Sequence, residues 1–296
     1  MKPYRGKRGR HEKRAKRASA LFLAPSFLGV MAFFILPFIV VIVYSLVDNP
    51  INMEFSGFDN FIRVMKNGAF KKAVFNTFKF SLIAVPLAVV LSLVLAIVLE
   101  WKIPFRSQFR TFFLSPMMVP VASIVLIWQV LFHYNGAVND WLNAFGINKI
   151  DWMKSDKAYL VVVVLFLWKN LGYNMILFMA ALSNIPEELI EVARLEHANK
   201  WQIFWNIKLR FMSSTVLFVT IMSLINSFKV FREVYLLTGD YPVDTIYLLQ
   251  HYMNNMFGRL DYQNLSAAAI LMSVCMIVII GILFLVENYY GRDVEG

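Results

Sequence analysis

Long apolar runs separated by short polar connections make up most of this chain. Five runs carry no Asp, Glu, Lys or Arg: 18–47, 80–99, 111–132, 211–228 and 262–286. A sixth, 158–182, is interrupted only by Lys169. About 20 apolar residues in a helix cross the hydrocarbon layer of a bilayer. The pattern therefore predicts six membrane-spanning helices, with bounds near 18–47, 75–99, 111–133, 158–182, 211–237 and 262–287. A tail, 1–17, precedes them and a short one, 291–296, follows. The first run has 30 uncharged residues, longer than the core of a cleaved leader, so it is expected to remain as a span. Pro25, Pro37, Pro86, Pro116 and Pro120 fall inside the runs and are expected to kink their helices, which packing among helices tolerates.

Composition agrees with this pattern. Of 296 residues, 59% are hydrophobic and 16% charged, with a mean hydropathy of +0.59. Soluble domains carry about 25% charged residues, so an oversized soluble core is a poorer explanation than membrane insertion. The net charge of +10 is unevenly spread. Residues 1–17 hold nine Lys or Arg, next to a span, where they suit contact with anionic lipid. No basic face with interleaved aromatics follows, which argues against nucleic acid. Lys and Arg divide seventeen to eight between the two sets of connections, and the richer set includes both chain ends. Both termini are therefore expected in the cytoplasm, as in a multi-pass protein of the bacterial inner membrane. Cys275 is the one cysteine, lies in an apolar run, and allows neither an internal disulfide nor a thiolate metal site.

The segment 183–210, on the predicted cytoplasmic side, is too long for a tight turn and too short for a domain. Pro186 followed by Glu187 and Glu188 is a helix-start signal, because proline fits the first turn and acids favour the dipole there. Leu189, Val192, Ala193 and Leu195 recur at roughly helical spacing. A second amphipathic stretch is expected to place Trp201, Phe204, Trp205 and Leu209 on one apolar face.

Glu191-Val-Ala193, Ala198-Asn-Lys-Trp-Gln-Ile-Phe204, Ile207 and Leu209 together resemble the EAA loop of ABC importer permeases, in the register of the sugar-type, maltose-transporter-like branch. Further tags match in order: Leu23-Ala-Pro25, Gly57-Phe-Asp-Asn-Phe61, Arg110-Thr-Phe-Phe-Leu-Ser-Pro116, Trp168-Lys-Asn-Leu-Gly-Tyr-Asn174 and Val234-Tyr-Leu-Leu-Thr-Gly239. The chain departs from the family at two places, with His197 where glycine is usual and Arg210 where proline is usual. If position 197 takes a left-handed backbone, histidine does so at a cost on the order of 1 kcal/mol. The loop is then expected to turn less sharply.

The resemblance implies an all-α membrane protein, a type I importer bundle of six helices with a coupling helix. Glu187, Glu188, Glu191, Val192, Ala193, Glu196, His197 and Ala198 would dock in a groove on a cytosolic ATP-binding subunit. Position and composition alone leave open an amphipathic helix lying on lipid head groups. The implied partners are a second permease, two ATP-binding subunits, which would bind ATP and Mg, and an extracytoplasmic solute-binding protein. The segment 239–265 would help to meet that protein, or could be an ordinary loop with an interfacial helix.

No Gly-x-x-x-x-Gly-Lys-Ser/Thr phosphate cradle, His-Glu-x-x-His pair or Gly-x-Ser-x-Gly elbow occurs in the sequence, so no cofactor and no catalysis are expected of this chain. Charges at membrane depth usually face an aqueous cavity or the bundle interior. Lys169, Asn174, Asn226 and Lys229 are expected to line a path for a hydroxyl-rich solute. Lys229 could instead pair with Glu233 one helical turn away. An importer of glycerol phosphate or another polyol is the near alternative. A secondary transporter would show internal inverted repeats, and a membrane enzyme clustered His, Asp or Cys; neither feature is found.

Overall fold

A computed structural model describes residues 19–100 and 105–291. The basic tail at 1–17, Lys102 and residues 292–296 lie outside the described residues. The described chain is helical, with one isolated antiparallel bridge between Val47 and Phe55. Five helices are long and apolar enough to cross a membrane, and a sharply bent helix pair supplies the sixth candidate.

The chain divides into two compact units. In one, helix α1 (Ser19–Leu46) leads into a loop and the start of α2 (Asp59–Lys66). Within α1, Met31–Ile35 is π-helical and the Leu36 N–H donates to the Met31 carbonyl. This widened turn directly precedes Pro37, whose ring cannot fit a regular turn. Asn60, from the Gly57–Phe61 tag, is fully buried and donates from Nδ2 to the carbonyls of Ser45 (3.0 Å) and Val47 (2.8 Å). It thus secures the backbone that leaves α1 without a helical partner. Asp261, at the start of α13 (Tyr262–Gly291), accepts from the Asn264 N–H at 3.2 Å and its side-chain amide at 2.7 Å.

In the other unit, α3 (Gly68–Glu100) packs along α7 (Ala158–Ser183). Ala84, Ala88, Ser92 and Ala96 form a fully buried stripe at four-residue spacing on α3. Small side chains let helices approach closely where lipid offers no hydrophobic drive. Phe80, Ala84 and Ala88 meet Val162 and Phe166 toward one end. Ala96 and Leu99 meet Met175, Phe178 and Leu182 toward the other. The Ser81 and Ser227 hydroxyls bond at 2.7 Å, joining α3 to α10 (Ser213–Phe228).

The third predicted span is not one straight helix. It is α4 (Arg106–Met118) and α5 (Val121–Leu131), bent by 103°, and the short α6 (Ala137–Ala144) follows. Val119 is extended (φ −90°, ψ 132°) because the Pro120 ring excludes the α region from the preceding residue. Pro86, by contrast, leaves α3 unbroken. A Cβ on Gly172 would collide with the Phe113 carbonyl, so α7 and α4 approach backbone to backbone at this glycine.

Candidate functional site

Two places combine chemistry with architecture, and both belong to the larger unit. The first is the segment after α7. Pro186 is extended and leads into α8 (Glu187–Leu195), with Glu187 and Glu188 in the first turn and Arg194 in the last. The end of α8 is closed by a reciprocal pair of backbone bonds. The Ala198 N–H donates to the Ala193 carbonyl at 2.9 Å and the His197 N–H to the Arg194 carbonyl at 3.0 Å. That is the glycine-favouring C-terminal cap, and His197 occupies its left-handed position with φ 62°. The turn is therefore made in full, without the softening expected from the missing glycine.

Asn199 then caps a second helix, α9 (200–211). Its side chain accepts from the Gln202 N–H at 2.8 Å, and Gln202 Oε1 accepts from the Asn199 N–H at 2.8 Å. Of the residues expected on one apolar face, Trp201, Phe204 and Trp205 do cluster, Phe204 and Leu209 are half-buried, and Ile203 is the buried residue of the helix. Trp201 and Trp205 instead stand out, stacked edge-on with ring centroids 5.6 Å apart. Lys208 Nζ holds both Glu100 oxygens, at 2.8 and 2.7 Å, which braces α9 on the end of α3. Arg210, in the position usually proline, simply continues the helix.

Of the residues expected to couple, Glu187, Glu188, Glu191, Val192, Glu196 and His197 are exposed, and Ala193 and Ala198 are half-buried. Leu189, Val192 and Leu195 are apolar yet exposed, Leu195 to 81%. No described side chain covers this apolar face of α8, although the helix is rigidly capped at its end.

The second place is a cavity of about 580 Å³ at the break between α10 and α11 (Phe231–Thr238). Lys169, Asn170 and Tyr173 enter it from α7, Asn226 from α10, and Lys229, Arg232 and Glu233 from the break and the start of α11. Asn226 Nδ2 donates to Asn170 Oδ1 at 2.9 Å. Glu233 is buried and ion-pairs with Lys169, not with Lys229 one turn away. Its second oxygen, Oε2, is buried without a hydrogen-bond partner among the described residues. Asn174 does not line the cavity: it is buried and donates to Ser223 Oγ at 2.9 Å, as a tie between α7 and α10. Asn174 lies one turn after Asn170 on the same side of α7, but its amide is taken up by Ser223 of α10. Asn170 and Tyr173 are missing from the residues expected on sequence, though Tyr173 follows Lys169 by one turn and Asn170 precedes Asn174 by one turn.

The segment after α11 folds onto the Asn76 end of α3. Asn76 Nδ2 donates to the carbonyls of Asp244 (2.6 Å) and Tyr247 (3.0 Å). Thr77 Oγ accepts from the Leu249 N–H at 2.9 Å, and Lys72 pairs with Asp244 at 2.7 Å. In α12 (Leu249–Gly258), His251 is fully buried, and its Nδ1 accepts from the Leu248 N–H at 3.2 Å. Burial lowers its pKa from 6.5 to about 4, so the ring is neutral. Among the described residues no group of three or more His, Cys, Asp or Glu could hold a metal.

Comparison with known proteins follows the same lines. The family described as binding-protein-dependent transport system inner membrane component matches residues 88–296. The lactose transport system permease of Rhizobium radiobacter is 28% identical over 283 residues, covering 92% of this chain and 93% of the relative. The trehalose/maltose transport system permease of Thermococcus litoralis is 27% identical, covering 95% and 96%. In fold, the chain resembles a solved bacterial ABC transporter involved in import of the acidic polysaccharide alginate, with TM-score 0.81 at 21% identity, over 97% of this chain and 100% of that one. A second solved structure of the bacterial alginate transporter, in complex with an alginate pentasaccharide-bound periplasmic protein, matches with TM-score 0.80 at 20% identity, over 95% and 97%.

Proposed function

This chain belongs to the binding-protein-dependent transport system inner membrane components, and we propose that it is the sugar- or oligosaccharide-conducting permease of an ATP-driven importer. It is a multi-pass membrane protein of a transport system that works with a solute-binding protein. In this reading both termini lie in the cytoplasm, on the side richer in Lys and Arg. The segment 183–210 then faces the cytoplasm and the segment 239–261 the outside. The assembly contains a second, similar permease, two cytosolic ATP-binding subunits that hold ATP and Mg, and the extracytoplasmic binding protein.

One observation supports coupling above the others: α8 is capped at its end yet leaves Leu195 almost wholly exposed and Val192 and Leu189 about half exposed. Exposed apolar side chains on a short, anchored helix suit a protein groove. Glu187, Glu188, Glu191 and Glu196 around them give the helix a polar rim. Closure of the ATP-binding pair would push α8. The Lys208–Glu100 brace and the packing of Ile207 would carry that displacement to α3 and α10. ATP thereby stabilises one arrangement of helices over another. The amide pair Asn170–Asn226, with Tyr173, offers donors and acceptors to solute hydroxyls at the cavity.

The test is to purify the tagged chain from its own cells in mild detergent and identify what accompanies it. Recovery of an ATP-binding subunit and a second six-span permease is the predicted result. Isolation alone, with solute movement in vesicles that needs no ATP, would contradict the reading.

A further inference from the structure

The cavity at the break between α10 and α11 carries more positive charge than the fold uses. Three cations and one carboxylate line it: Lys169, Lys229, Arg232 and Glu233. Glu233 neutralises Lys169. Lys229 and Arg232 remain exposed, with no carboxylate paired to them among the described residues.

Helix architecture explains one of these and not the other. Lys229 sits at the C-terminal end of α10, where its charge meets the negative end of the helix dipole. Glu233 likewise follows the rule by lying in the first turn of α11. Arg232, in the first turn of α11, has no such role: among the described residues no ion pair engages its guanidinium, although it lines the cavity.

Resting on the reading of the chain as a sugar permease, we propose that this cavity takes an acidic saccharide. The solute would be a sugar bearing carboxylate, sulfonate or phosphate groups. Arg232 presents a planar fork suited to a bidentate anion, and Lys229 a mobile point charge beside it. Asn170, Asn226 and Tyr173 meet the hydroxyls on the adjoining wall. The Lys169–Glu233 pair positions this wall and contributes no net charge. A neutral sugar would use only the amide wall and leave both cations without a counter-charge.

The test uses the transporter purified with its partner subunits in lipid nanodiscs, with weak binding read by saturation-transfer NMR. Three probes are compared: digalacturonate, the neutral galactose disaccharide of the same linkage, and tricarballylate, an anion that is not a sugar. Digalacturonate is expected to bind roughly tenfold tighter than the neutral disaccharide. Replacing Lys229→Gln and Arg232→Gln together should abolish most of that ratio by weakening digalacturonate binding, while Arg232→Lys keeps part of it. Equal binding of the two disaccharides, or a ratio that survives the double replacement, overturns the proposal and leaves the sugar reading standing. Tricarballylate binding as well as digalacturonate overturns the sugar reading and keeps the charge assignment. No binding of any probe overturns both.

Discussion

His197 shows how much one residue can settle. Its φ of 62° is the backbone conformation for which glycine is usual, and both capping bonds around it are formed. The side chain is exposed, so it stabilises nothing by packing. His197→Gly is predicted to stabilise the purified protein by up to about 1 kcal/mol, and a β-branched His197→Val to destabilise it by at least as much. Thermal unfolding in detergent measures both. His251 makes a different demand. Because burial lowers its folded pKa below the ordinary 6.5, the unfolded chain binds more protons between about 4 and 6.5. Stability from this residue is complete above pH 6.5 and is lost as pH falls toward 4, at no more than about 1.4 kcal/mol per pH unit. Protection factors of α12 amides, corrected for the intrinsic pH dependence of exchange, should fall over that window, and His251→Leu should flatten the dependence. At this scale the sequence is only partly legible. The tags contain Asn60 and Gly172, but not that Asn60 ties off α1 or that Gly172 faces the Phe113 carbonyl. Those roles depend on residues far away in the chain.

At the scale of elements, the apolar runs mark where five long helices lie, because the cost of an unpaired backbone in lipid leaves few alternatives, although α3 begins at Gly68, ahead of the expected 75. The break between α4 and α5 is harder to see. Pro120 announces a kink, but a 103° turn needs Val119 forced out of the helical region as well. The aromatic face of α9 is visible in the spacing of Trp201, Phe204 and Trp205, but that Ile203 is the residue it buries is not. The buried stripe Ala84, Ala88, Ser92 and Ala96 is visible in the sequence as small residues at four-residue spacing. Two predictions belong here. Gly172→Leu should abolish correct packing of α7 on α4, seen as loss of folded protein after extraction, because the blocking atom is backbone and cannot rotate aside. Lys169→Met or Glu233→Leu alone should destabilise by about 3 kcal/mol, less where water reaches the lysine, while the double variant recovers most of the loss. A double-mutant cycle on thermal unfolding separates these outcomes.

At the scale of the whole molecule, function depends on surfaces that the chain leaves uncovered. The most apolar stretches of the helices Ser19–Leu46 and Tyr262–Tyr289 contain no buried residue, although Ser45, Ala267 and Ala268 elsewhere in them are buried. In a membrane such faces would meet lipid or, on the proposed reading, a second permease. The exposed apolar positions of α8 lie outside any span, and the order of tags along the chain makes that segment legible from its residues alone. What it docks against is not legible there, because a helix carrying both Leu195 and Glu191 fits a protein groove or a lipid surface equally well in sequence. The central claim is that α8 occupies the groove of an ATP-binding subunit. It is tested most directly by placing a single cysteine at Val192 or Leu195, with Cys275→Ser as background, and cross-linking the complete transporter in its native membrane. A cross-link to the ATP-binding subunit that changes in yield with ATP is the predicted result. Cysteines that react only with reagents dissolved in the lipid, with no cross-link to any subunit, would contradict it.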